Sequence, residues 1–351
     1  MKLNLQKSFF GDRENKLLEY GEFDIKAFKY ASGVEALEVK NSVCSFIFLP
    51  FLGQQIWHFC AGGRDLSMST NVKEPVFPKY YLENYGGFLY HCGIISMGNP
   101  DIDHPHHGEI PNEIYDSAYI GCGEDEGGKF ITLGGELVHE TAFVRGYRFR
   151  PEIKIYEGTA LFKINVEIEN TRPYVLDYMY LCHINFAPID GAELITSAKH
   201  DAEHIKIYNT VQDPALLDYI ARLEKDLTIM NKVGEAGQVY DPELCFGIKY
   251  ESDENNRAYT MQYADNGACY VSHPVDYLPY SIRWISRTLG EQSMGMVLPA
   301  TGEHLGYQNA VEKGQLKHIE PMGKISFYME AGFIDKTKAD AVKEKIAELV
   351  K

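Results

Sequence analysis

No apolar run in this 351-residue chain is long enough to cross a bilayer. The longest, Phe46 to Leu52, is short and carries Pro50. Met1 to Lys7 lacks the apolar stretch of a secretory signal. No Cys-x-x-Cys pair occurs, and the seven cysteines (Cys44, Cys60, Cys92, Cys122, Cys182, Cys245 and Cys269) are odd in number and widely spaced. That excludes a disulfide framework and a zinc ribbon, and leaves the thiols as small buried hydrophobes in a reducing compartment. Basic residues are scarce: 34 Lys and Arg face 50 Asp and Glu, a net charge of −16. With no cluster of Lys or Arg to offset it, that charge repels a polyanion such as nucleic acid. Low-complexity tracts, linkers and internal repeats are missing too. The chain is therefore expected to be one cytoplasmic domain over residues 1–351, with no membrane or nucleic-acid partner. Its oligomeric state is left open.

Hydrophobic residues make up 45% of the chain, with 24 tyrosines and 18 phenylalanines. Their pattern has a period of two. Phe162, Ile164, Val166 and Ile168 point one way, and Lys163, Asn165, Glu167 and Glu169 the other. That is a strand with one buried face. Asn170-Thr171-Arg172-Pro173 breaks it, and Tyr174 to Ile184 reads as the next strand of a hairpin-like unit. Similar runs fall at 34–39, 44–49, 130–138, 152–157, 245–250, 258–263 and 325–331, separated by Gly, Pro, Asn and Asp. The fold class implied is all-β, a large antiparallel β-sandwich with a few peripheral helices. One helix is predicted after an Asp213 N-cap and Pro214, with Leu216, Leu217, Ile220 and Leu223 at helical spacing. Another is predicted over about 335–351, with Val342, Ile346, Leu349 and Val350 on one face.

Four segments concentrate polar chemistry. They are Tyr85 to Gly93, His104 to Glu113, Leu181 to Phe186, and Trp284 through Pro299 to Lys324. Three of the twelve histidines, His104, His106 and His107, lie within four residues. They read either as a hydrogen-bonded polar loop or as part of a metal site, although no zinc spacing is present. His183 sits in an apolar run and reads either as a satisfied core histidine or as a buried imidazole with a tunable pKa, as acid–base work requires.

In this order the segments resemble the aldose 1-epimerase, or galactose mutarotase-like, superfamily, and within it the bacterial branch designated DUF4432. The residues that carry the likeness are Gly86-Gly87 with Cys92-Gly93, then His107-Gly108, then Asn170-Thr171-Arg172-Pro173, then Cys182-His183-Ile184-Asn185-Phe186. The likeness spans roughly residues 50–330, and the His-Ile-Asn-Phe element is its most specific part. It implies a galactose mutarotase-like supersandwich, a small-molecule carbohydrate partner and acid–base ring opening without a cofactor. His183 takes the place of the acid and His107 that of the second polar contact to the sugar. His91, Glu109 and Asn185, from the same segments, are candidate sugar contacts.

The departure is at the base. The family's glutamate context aligns with Gly295-Met296-Val297-Leu298-Pro299, which puts Leu298 where a proton acceptor is required. Glu303 is the first candidate replacement and Glu109 the second, against a plain reading of Glu303 as a solvated turn residue. Arg64 could grip a sugar hydroxyl or carboxylate, or simply pair with Asp65. Trp284 could stack on a sugar ring, or fill core. Three functions follow. The leading one is an aldose 1-epimerase-like isomerase, with no metal. The others are an isomerase, epimerase or lyase acting elsewhere on the sugar, helped by a metal on His104, His106 or His107, and a sugar-binding protein that has lost its base.

Overall fold

A strand with one apolar face must bury that face, and two sheets packed together bury both at once. In the computed structural model, which describes residues 1–208, 214–234 and 238–351, the strands form one sheet of nine and one of thirteen. Strand pairing in both is antiparallel, as the alternation implies. Ala160–Asn170 shows why: its burial alternates residue by residue along the strand.

The hairpin expected around Asn170–Pro173 does not form. Ala160–Asn170 lies in the nine-stranded sheet between Arg145–Tyr156 and Lys324–Asp335. Leu176–Ile184 lies in the thirteen-stranded sheet, beside Leu89–Ile94 and Gln292–Ala300. The turn crosses from one sheet to the other. The buried side chain of Asn170 holds the crossing, donating through Nδ2 to the carbonyls of Tyr174, Ile319 and Glu320 and accepting from the Arg172 amide.

Between the sheets lies the larger core, where Phe162 of one sheet meets Phe46 and Phe59 of the other at ring-centroid distances of 5.0 and 4.8 Å. A second apolar cluster, including Trp57, Tyr90, Leu181, Ile282 and Leu298, covers the opposite face of the thirteen-stranded sheet. Two loops close over that face. Their anchor is a buried amide network: Asn84 donates to Gln55 and Asn112, and Gln55 donates to the carbonyl of Pro111. Gly86 lets the first loop lie flat, because a Cβ there would sit 2.3 Å from the Val72 carbonyl and 3.0 Å from the Trp57 ring.

The helices are Pro214–Leu223, Tyr307–Glu312 and Lys336–Leu349. Leu216, Ile220 and Leu223 of the first are buried, whereas Leu217 is exposed. Its expected N-cap, Asp213, lies outside the described residues. Asp335 caps the last helix by accepting from the Lys338 amide. Ala339 and Ile346 bury that helix against Tyr259, Met261 and Tyr270 of the nine-stranded sheet, with Val342 and Leu349 beside them, while Val350 lies past its end. Among the described residues no helix is long and apolar enough to cross a membrane.

Phe162 bridges the two sheets, so its truncation tests the inter-sheet core. Phe162→Ala should destabilise the protein by about 3–5 kcal/mol. A denaturant midpoint within error of wild type would mean that the sheets do not meet there.

Candidate functional site

Alternation decides which residues reach the outer face of the large sheet. Along Leu176–Ile184 and the next residue, Leu181, His183 and Asn185 share one parity; Tyr180, Cys182 and Ile184 share the other and enter the inter-sheet core. His183 pairs in register with Tyr90 on one neighbouring strand. On the other side, Gln292–Ala300 contributes Leu298, Tyr280–Arg287 contributes Ile282 and Trp284, and Tyr240–Ile248 contributes Glu243 and Cys245. Loops from above add Tyr81, Tyr85, His106, His107 and His304, closing a pocket around all of these.

His107 and His183, far apart in sequence, lie with ring centroids 5.1 Å apart, edge to face. His107 also stacks on His106 at 4.4 Å. Its backbone has φ +61°, a left-handed conformation that a non-glycine residue adopts at a cost. The following glycine makes the approach possible. A Cβ on Gly108 would lie 2.2 Å from the Ser96 carbonyl oxygen and 2.4 Å from that of Gly93. His107 accepts from the Gly93 amide, so the loop is stitched to the Leu89–Ile94 strand beside His183.

His183 is held from one side. Its Nδ1 is 2.6 Å from Asn185 Oδ1, and Asn185 Nδ2 donates to the Gly87 carbonyl at 3.0 Å. The Tyr85 hydroxyl lies 3.3 and 3.2 Å from the two ring nitrogens, so it holds neither closely. Burial lowers the His183 pKa to about 3, an effect the Asn185 bond partly opposes and the His106 and His304 imidazoles reinforce. His107 is likewise held well below the usual value, by burial first and then by His183, His106 and His304. Burial lowers His304 to about 4. All three are neutral imidazoles at neutral pH.

Two further groups complete the pocket. The Trp284 ring is 5.4 Å from that of His183, and its indole N–H donates to Glu243 Oε2 at 2.6 Å. Glu243 is the only carboxylate lining this pocket among the described residues. Leu298 also lines it, 2% exposed.

The other anticipated residues lie elsewhere. Glu303 does not reach the pocket: its carboxylate accepts from Lys206, Lys313 and Tyr208 in a neighbouring depression. Those bonds, overcoming its burial, lower its pKa to about 2. Glu109 accepts from the amides of Ile94 and Ile95 and from the Tyr147 hydroxyl, tying a loop rather than facing the histidines. His91 has the wrong parity. It points between the sheets, where its Nδ1 meets the Tyr180 hydroxyl at 2.7 Å. Arg64 is exposed on a short edge strand and makes no ion pair with Asp65 among the described residues. Asn185 and Trp284 do join the histidine pair, although Asn185 spends both ends of its amide on protein groups. His104 pairs with Asp101 and stacks on Tyr307. Among the described residues no three His, Cys, Asp or Glu are grouped to hold a metal ion.

Glu243 escaped the sequence reading, while Tyr85 and His304 fell inside the four segments without being singled out. Glu243 shares strand parity with Cys245, and Cys245 pairs in register with Trp284. That pairing is the signal that would have found it, and it is not local in sequence.

A model for a domain of unknown function, DUF4432, matches residues 31–332. The chain belongs to the DUF4432 family. No curated protein matches it in sequence. Among solved structures, this DUF4432 protein is similar to a candidate aldose 1-epimerase from Klebsiella pneumoniae, with TM-score 0.82 and 18% identity over 100% of this chain and 92% of the other. A galactose mutarotase-like protein from Clostridium acetobutylicum matches with TM-score 0.59 and 13% identity, over 90% and 99% of the two chains. One from Lactobacillus casei gives 0.51 and 10%, over 85% and 100%. At these identities the likeness establishes the fold: the DUF4432 chain has the galactose mutarotase-like architecture.

Buried histidines, inside the pocket and outside it, make stability depend on pH. His91, His183 and His273 are each lowered by burial to about 3 in the folded protein, against about 6.5 when unfolded. The unfolded chain thus binds more protons, and stability falls as pH drops below about 6.5, by about 1.4 kcal/mol per pH unit for each histidine once the unfolded imidazole is charged. Unfolding midpoints that stay level between pH 7 and pH 5 would contradict this. Separately, a Cβ at Gly295 would lie 2.4 Å from Leu298 Cδ2. Gly295→Ala should displace the Leu298 side chain and destabilise the protein by about 1–3 kcal/mol, as calorimetry would show; an unchanged melting temperature would mean that Leu298 swings away freely.

Proposed function

We propose that this pocket binds an uncharged sugar in its ring form and catalyses its opening and closure at the anomeric carbon, as an aldose 1-epimerase-like isomerase. The observation that carries the reading is Glu243: a carboxylate lines the same pocket as the His107–His183 pair, although Leu298 stands at the family's acceptor position. Ring opening needs a proton acceptor at the anomeric hydroxyl and a donor at the ring oxygen. In this reading Glu243 takes the anomeric proton and passes it through solvent to the ring oxygen, while an imidazole N–H of the histidine pair holds that oxygen as its bond to C1 breaks. Once the bond from C1 to the ring oxygen breaks, the carbonyl end rotates and the ring recloses on its other face. Trp284 supports the assignment twice. Its indole N–H orients Glu243, and its ring offers an apolar surface for the C–H face of a pyranose. Among the described residues no Lys or Arg lines the pocket, which fits a neutral ligand better than a phosphorylated one. We also read the chain as one domain. Seven free cysteines fit a cytoplasmic, reducing location.

Leu298 favours one competing reading, a sugar-binding protein without turnover. Exchange between anomers, followed by NMR on a panel of aldoses, separates the two. Wild type should accelerate exchange over buffer, and Glu243→Gln should lower that rate about a hundredfold to ten-thousandfold. Glu303→Gln should cost less than tenfold. Saturable binding with no exchange would favour the binding reading. Full activity in Glu243→Gln would remove Glu243 from the mechanism.

A further inference from the structure

The hydrogen bonds around His183 divide the labour within the histidine pair. The Gly87 carbonyl oxygen can only accept. Asn185 must therefore turn its NH₂ toward it, and the 3.0 Å contact is a donation from Nδ2. That leaves Asn185 Oδ1 facing His183 Nδ1 at 2.6 Å. An amide oxygen accepts and cannot donate, so the proton between them belongs to Nδ1. A neutral imidazole carries one N–H. With it fixed on Nδ1, Nε2 is a bare lone pair.

We propose that Asn185 is a positioning residue that locks His183 in the Nδ1–H tautomer, so that His183 meets the sugar as a hydrogen-bond acceptor through Nε2 and His107 is the member of the pair that presents an N–H. Asn185 was anticipated as a sugar contact; here both ends of its amide are committed to protein, and it acts through His183. His107 has no matching lock, since among the described residues its buried Nδ1 has no hydrogen-bond partner. It is free to adopt the tautomer that a ligand demands. The Tyr85 hydroxyl, nearly equidistant from both nitrogens of His183, does not compete strongly for Nε2. Only the roles toward the sugar rest on the function proposed above; the tautomer stands without it.

The family likeness put His183 in the acid's place. A bare Nε2 reverses that for the neutral ring. An imidazolium would be needed to donate from Nε2, and burial works against one.

The test reads the tautomer directly. In protein labelled with ¹⁵N histidine, the resonances of His183 are assigned by their loss in His183→Gln. Wild type at neutral pH should show a protonated Nδ1 and an unprotonated Nε2. Two variants then separate positioning from packing, because both remove the donor to Gly87. Asn185→Asp keeps an acceptor at Nδ1 and should keep the Nδ1–H tautomer. Asn185→Leu removes the acceptor and should shift His183 to Nε2–H or to a mixture. Adding a sugar that the protein binds should move the wild-type Nε2 resonance toward the hydrogen-bonded range. A protonated Nε2 in wild type, or the same tautomer in Asn185→Leu as in wild type, would overturn the proposal. Absence of anomer exchange with the expected tautomer intact would instead count against the function and leave the lock standing.

Discussion

The pocket depends on one run of hydrogen bonds, from the Gly87 carbonyl through the Asn185 amide to Nδ1 of His183. Both side chains are buried on a sheet whose neighbouring outer-face residues are Tyr90, Leu181 and Leu298. A buried polar group in such a place costs roughly 1–3 kcal/mol unless it is paired. Each link in the run pairs the one before it. The run also explains the Gly86-Gly87 element. The carbonyl that terminates it belongs to a loop that lies against Trp57 only because Gly86 has no side chain. Backbone shape, side-chain orientation and tautomer are thus one constraint.

Most of the fold was legible because alternation is local. Phe162 to Ile168 declares its buried face without reference to any other segment, and the structure agrees. Sheet membership is a different matter. Asn170–Pro173 has the composition of a hairpin turn, yet it carries the chain between sheets. The groups that fix the crossing, the carbonyls of Ile319 and Glu320, lie some 150 residues away in sequence. Leu217 fell in step with Leu216 by spacing alone, but the helix presents only one side to the core.

The site divides along the same line. His107-Gly108 and His183-Ile184-Asn185 stood out as short motifs, and each motif has a local physical cause. A left-handed His107 needs Gly108 after it, and His183 needs an amide two residues on, on the same face. Glu303 and Glu109 also looked available, since sequence shows a carboxylate but not what its oxygens hold. Glu303 turned out to be matched by two lysines and a tyrosine, and Glu109 by two amides and a tyrosine. His91 failed on parity, which is set by strand register and not by its neighbours' composition.

The same bookkeeping of partners accounts for the position of the pocket's carboxylate. At position 298 a carboxylate would be almost completely buried, in the apolar cluster that includes Leu181, Ile282 and Ala300. The charged form is expensive there unless donors surround it. Here a leucine fills the space, folded back over Gly295. Glu243 lies two strands away on the same face, less buried, with the Trp284 indole N–H to hold one oxygen. Moving the carboxylate to the rim removes most of that desolvation cost. It also leaves hydrocarbon beside His183 on the same sheet face, because the Leu298 strand pairs with the His183 strand. A hydroxyl directed at Leu298 would lose its water without gaining a partner. In the function proposed above, Leu298 would therefore disfavour sugars that direct a polar group at it, so the residue that removes the acceptor would also act on specificity.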